Sequence, residues 1–149
     1  MRQLCNHTSV TSGQVGYALA PMIAKGDMFG KHVPVHLHLF DVPAAENALL
    51  ALKMELEDSA FPQLQGQSNL QTLSYKLASD MMASTDESEA FQSVEVAVLI
   101  AGFPFKSGMK RSHIIEKNVE MYKRHGQALS EFASKKVKVQ FFILYFTQI

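Results

Sequence analysis

Apolar and polar positions alternate most clearly over Val33-Pro34-Val35-His36-Leu37-His38-Leu39-Phe40-Asp41, which predicts a β-strand closing on an acid. Pro43 marks a turn. Ala44 to Asp58 is rich in Ala, Leu, Met, Glu and Lys and predicts a helix, with Leu49, Leu52, Met54 and Leu56 around one side. Phe61-Pro62 ends it. Gln65 to Asp80 is polar and weakly periodic, and reads as a long loop or an irregular helix. Thr85 to Phe91 predicts a short helix with a cap-like start. Val94 to Ala101 is apolar enough for a strand buried on both faces. Phe103 to Gly108 is a loop by its Pro and Gly. Ser112 to Ser134 predicts one long helix with Ile114, Ile115, Val119, Tyr122, Leu129 and Phe132 inward, and Val137 to Phe146 a terminal strand.

The start is harder to read, because Gln3, Asn6, His7 and Thr8 interrupt any strand alternation. Gly13 and Gly16 then open, and Gly26 closes, a run of small and apolar residues that predicts a helix, with Pro21 as an interior flaw that removes one backbone bond. Strands and helices in alternation give an α/β fold: a mostly parallel sheet with helices on both faces. There is no internal repeat, and 149 residues make one domain, 1–149.

Composition narrows the classes. At 47% hydrophobic and 19% charged the chain is globular rather than disordered. Lys plus Arg and Asp plus Glu cancel at 14 each, which argues against nucleic-acid or membrane-surface partners and gives no charge repulsion to aid solubility. Cys5 is the single cysteine, so no internal disulfide forms, and the thiol fits a reducing compartment. Residues 1–11 lack the apolar centre of a secretory signal, and the longest apolar run, Phe141 to Phe146, is too short to span a bilayer.

Four features carry candidate chemistry. Gly13 and Gly16 fit a turn that brings backbone onto a dinucleotide pyrophosphate at a helix start, although the pair alone equally fits a plain helix start. Asp41, at the carboxyl end of the best strand and at the expected interval downstream, suits the ribose hydroxyls of NAD and repels a 2′-phosphate; the alternative is a solvated strand-end acid. His36 and His38 share a strand face near His32, but no motif supplies a third ligand and a supporting shell, so ordinary strand histidines are the favoured reading over a metal site. Lys110 and Arg111 follow Gly108 as a loop that closes on a dicarboxylate would, or simply as an exposed basic helix start.

Several segments resemble the cytosolic-type NAD-dependent malate dehydrogenases of the lactate/malate dehydrogenase family: G-Q-V-G-Y-A-L-A-P-M-I-A-K-G (13–26), H-L-F-D-V-P-A-A (38–45), K-M-E-L-E-D-S-A-F-P (53–62), V-A-V-L-I-A-G-F-P (96–104), K-S-G-M-K-R (106–111) and K-N-V (117–119). The resemblance implies a Rossmann-like sheet, incomplete at its C-terminal end, and an NAD-dependent oxidoreductase of malate metabolism and the tricarboxylic acid cycle, cytoplasmic in location. It gives Gly13, Gln14 and Gly16 to the pyrophosphate turn, Asp41 to the adenosine ribose, Asn118 to a cofactor contact and Arg111 to the substrate carboxylate of malate or oxaloacetate. It also puts the 44–58 helix near a dimer interface, for a homodimer or for pairing with a full-length subunit.

Departures from the family pattern are equally specific. Val10 stands for the first turn glycine, Phe105 for the first loop arginine and His125 for a cofactor-contacting glutamine, and 67–80 is an insert before a strand. After Val139 the family continues into an Asn-Pro turn and later an Asp–His proton relay; here Gln140 to Phe146 follows, and no residue matches the relay. Three readings result: an NAD-binding chain without catalysis, a working malate dehydrogenase, and a non-functional truncated or spliced product with an aggregation-prone apolar end.

Overall fold

The computed structural model describes residues 4–9, 13–30, 33, 35–59, 61, 81–103 and 108–143, and of 4–9, 101 and 143 the backbone alone. The chain runs β1 (Leu4–Ser9), α1 (Gln14–Lys25), β2 (Val35–Phe40), a 3-10 turn (Pro43–Ala45), α2 (Glu46–Asp58), β3 (Met81–Ser84), α3 (Glu87–Ala90), β4 (Val96–Ala101), α4 (Arg111–Phe132) and β5 (Lys138–Ile143). The strands form one sheet in the order β3-β2-β1-β4-β5, and every neighbouring pair is parallel. The chain therefore winds outward from β1 on one side, returns, and winds outward on the other. Val10, His32, the 67–80 insert, Phe105 and residues 144–146 of the expected last strand lie outside the described residues.

The two faces have separate cores. Val35, Leu37 and Leu39 of β2 pack with Ala20, Ile23 and Ala24 of α1 and Leu49, Leu52 and Leu56 of α2. Phe91, Val94, Ala97 and Leu99 pack with Ala128 and Leu129 of α4 on the other face. Truncating one such fully buried leucine to alanine costs about 2–5 kcal/mol.

Local sequence explains how α1 ends. Gly26 takes φ 91°, and its N–H and that of Asp27 donate to the Ile23 and Met22 carbonyls at 2.9 and 3.0 Å. This closure needs a residue tolerant of the left-handed region, which glycine is. Pro21 does not break α1, which runs unbroken through it. It deprives only the Tyr17 carbonyl of its helical donor, at a residue 48% exposed, where solvent can reach the freed group.

The polar start, hard to read in the sequence, forms the central strand: Asn6 pairs with Leu37 and Val96, and Thr8 with Leu39 and Val98. Backbone pairing to two strongly apolar neighbours fixes it there, whatever its own alternation. Two expectations on the helices are corrected. Met54 is 63% exposed and does not join Leu49, Leu52 and Leu56. Ile115 and Val119 are exposed, because the inward stripe of α4 runs through Ile114, Asn118, His125, Ala128 and Leu129, with two polar residues in it. Among the described residues no helix is long and apolar enough to cross a membrane.

Candidate functional site

The reversal in strand order puts the carboxyl ends of β1 and β4 side by side, and the helices that follow them, α1 and α4, pack in separate cores. In open parallel sheets, a crevice forms outside the carboxyl ends of the strands at such a switch point. The candidate residues fall on the segments around it.

Gly13 is the extended N-cap of α1, at φ −76° and ψ 153°, and its carbonyl accepts the Tyr17 N–H at 3.0 Å. Gly13 has no side chain with which to cap this helix start, and the first turn carries no acid. The positive end of the helix dipole thus meets no carboxylate from the helix's own first turn. Gln14 is the first helical residue and is exposed, while Gly16 is buried in the first turn.

Asp41 follows the last residue of β2 and is 4% exposed, so the solvated alternative does not hold. One carboxylate oxygen accepts the Val42 N–H at 2.7 Å, which fixes the side chain's direction. The preceding residue, Phe40, has its ring 5.7 Å from that of Phe91 and 5.6 Å from that of His125.

Asn118 lies on the buried stripe of α4, and its Oδ1 accepts the Phe103 N–H at 2.7 Å. This bond ties the chain leaving β4 to the helix. Arg111 opens α4 with an exposed side chain, just after Gly108 at φ 87°. Both α4 residues stand on the helix that starts at the carboxyl edge.

His38 has a local partner. His38 directs Nδ1 to the Ala90 carbonyl at 2.9 Å, and burial holds its ring below the ordinary histidine range, while that bond pulls it up and His36 pushes it down. Among the described residues no group of three His, Cys, Asp or Glu is arranged to hold a metal ion.

Sequence reasoning missed the partner of Asn118, the ring cluster around His125, and the Arg124–Glu87 pair at 2.7 Å that bridges α4 to α3. It also missed the hydrogen bond from the Tyr17 hydroxyl to Glu55, which links α1 to α2. Polar residues recurring on an inward helix stripe, Asn118 and His125, were the available signal.

Residues 9–142 match the family described as lactate/malate dehydrogenase, NAD binding domain. The chain belongs to this family. It is 45% identical over 128 residues to the cytoplasmic malate dehydrogenase of Beta vulgaris, covering 86% of this chain and 34% of that protein. Malate dehydrogenase 1, cytoplasmic, of Arabidopsis thaliana is 44% identical over the same shares. Among solved structures, the malate dehydrogenase of Naegleria fowleri superposes with a TM-score of 0.82 at 31% identity, covering 96% of this chain and 40% of that one. The lactate dehydrogenase of Trichomonas vaginalis, in complex with NADH and oxamate, gives 0.76 at 37%, covering 93% and 37%. This dehydrogenase domain thus spans about a third of the length of the curated relatives it matches.

Proposed function

We propose that this chain binds NAD(H) at the switch point of its sheet. The observation that carries the reading is Asp41. It is a buried carboxylate with a fixed orientation at the end of β2, the strand beside β1, and the helix that follows β1 starts at a glycine with no acid in its first turn. Gly13, Gln14 and Gly16 would receive the pyrophosphate, whose charge suits a helix start. Asp41 would accept the adenosine ribose hydroxyls, and repulsion of a 2′-phosphate would favour NAD over NADP. Asn118 would hold the cofactor side of α4 in register through Phe103. Bound NAD supplies the hydride acceptor.

Arg111 is proposed to grip the carboxylate of malate or oxaloacetate, the substrates of the malate dehydrogenase reaction in which such a domain would serve. A carboxylate on one guanidinium gains a charge-assisted contact, but Phe105 offers no second one. The reading for the residues given is cofactor binding, in the cytoplasm. Pairing through α2, with a second copy or a full-length subunit, is supported by Leu50 and Met54, 42% and 63% exposed on that helix.

The test is a fluorescence titration with NADH and NADPH, run beside an assay of oxaloacetate-dependent NADH oxidation. Saturable NADH binding and weaker NADPH binding are expected, and the assay shows whether these 149 residues turn over by themselves. Absence of binding at millimolar NADH overturns the cofactor assignment.

A further inference from the structure

His125 sits on the inward stripe of α4, 4% exposed, and its Nδ1 is buried without a hydrogen-bond partner. Buried polar atoms are nearly always satisfied, so an orphaned ring nitrogen calls for a physical account. The pocket around it is aromatic. Phe40 of β2 and Phe91, which follows α3, meet the imidazole edge-on at 5.6 and 5.9 Å, and Tyr122 lies 6.4 Å away on the preceding turn. These rings join β2, α3 and α4 at a single seam.

The pocket suits a neutral imidazole and not a cation. A protonated ring carries two N–H donors, and the one at Nδ1 would have no acceptor. Ring quadrupoles attract a cation but provide no acceptor for it. Charged groups nearby do not reverse this. Glu87 of α3 draws a proton toward the ring, but its carboxylate is engaged by Arg124 at 2.7 Å, and Arg124 itself opposes a second positive charge. From β2, the titratable side chains on the same face as Phe40 are His36 and His38, and the Nδ1 of His38 is already held by Ala90. Burial, the larger effect, keeps the His125 ring below the ordinary histidine range.

We propose that neutral His125 is a proton-sensitive latch: protonation drives the ring out from between Phe40 and Phe91 and loosens the helix that carries Asn118. Two turns separate the residues on the same stripe of α4, so release at His125 reaches the Asn118–Phe103 bond and the end of β2 together. The latch concerns the seam itself and stands whether or not NAD binds.

The test uses the 149-residue chain with and without His125→Met and His125→Gln. The unfolding midpoint is followed from about pH 7.5 to about pH 5.5, where an unperturbed histidine titrates. In parallel, NMR follows the histidine ring signals and the Phe103 amide. The acid-side fall in midpoint is expected to shrink in both variants. In the unaltered chain the Phe103 amide should shift together with the His125 ring, below the ordinary histidine range. Parallel pH profiles for all three chains overturn the latch, as does a His125 ring that titrates at the ordinary value with Phe103 unmoved. If neither variant folds, the NMR titration of the unaltered chain decides alone.

Discussion

The side-chain oxygen of Asn118 accepts the backbone N–H of Phe103 at 2.7 Å, so a helix and the chain leaving a strand are joined by a bond between a buried side chain and main chain. Asn118→Ala removes the acceptor and leaves the Phe103 donor unsatisfied. The expected cost is about 1–3 kcal/mol. A urea unfolding midpoint lowered with unchanged slope would fit this; an unmoved midpoint would mean that solvent already serves Phe103.

Asp41→Ala is expected to weaken NADH binding by about tenfold or more, the worth of a charge-assisted contact. It should also erase the preference over NADPH, because the charge that repels a 2′-phosphate is gone. Titration of both nucleotides against both chains measures this. Retained discrimination in the variant would remove Asp41 from the ribose site.

For His38 the sign follows from burial. Its folded pKa lies below that of the unfolded chain, so below about pH 6.5 the unfolded state binds more protons. Its contribution is intact above the unfolded value and declines as pH falls through the interval between the two. His38→Asn should flatten that part of the profile while also losing some stability at neutral pH, through the Ala90 contact. Thermal melts from about pH 7.5 downward, over the range where histidine titrates, check both halves of the statement.

Neighbouring phenylalanines on β5 should behave differently. Phe141 packs edge-on against Tyr122 at 5.5 Å, whereas Phe142 is 48% exposed with no ring contact among the described residues. Phe141→Ala should cost about 0.5–1.5 kcal/mol for the ring pair, beyond any area effect. Phe142→Lys should leave the unfolding midpoint nearly unchanged and reduce light scattering at high concentration, since a charge on an exposed edge strand opposes edge-to-edge pairing. Unchanged scattering would place any self-association on another surface.

These cases show what the sequence made legible. β2 and β4 were readable because Val35, Leu37 and Leu39, and Val96 to Ala101, carry a strand pattern that needs no context. Asp41 was readable as the end of such a strand, but its burial was not, because nothing local reveals what covers a strand end. β1 was hidden since its place is set by β2 and β4 on either side and not by Asn6, His7 or Thr8. On α4, Ile114, Tyr122, Leu129 and Phe132 do face inward, but Ile115 and Val119 were misplaced because apolarity was used to find the inside. There, Asn118 and His125 occupy inward positions for hydrogen-bonding and ring packing, and Ile115 and Val119 fall on the flank.

The strand order also imposes a schedule on folding. β1, α1, β2, α2 and β3 follow one another along the chain and all but β1 contribute side chains to one described core, whereas β1 acquires its second neighbour only when Asn6 meets Val96. Closing so long a loop is an entropic toll that falls late, after the first half has collapsed. Pulse-labelled hydrogen exchange should therefore protect the amides of β2 and α1 before those of β4. On a ribosome the emerging first half would wait, one edge of its founding strand bare, for a partner still being made.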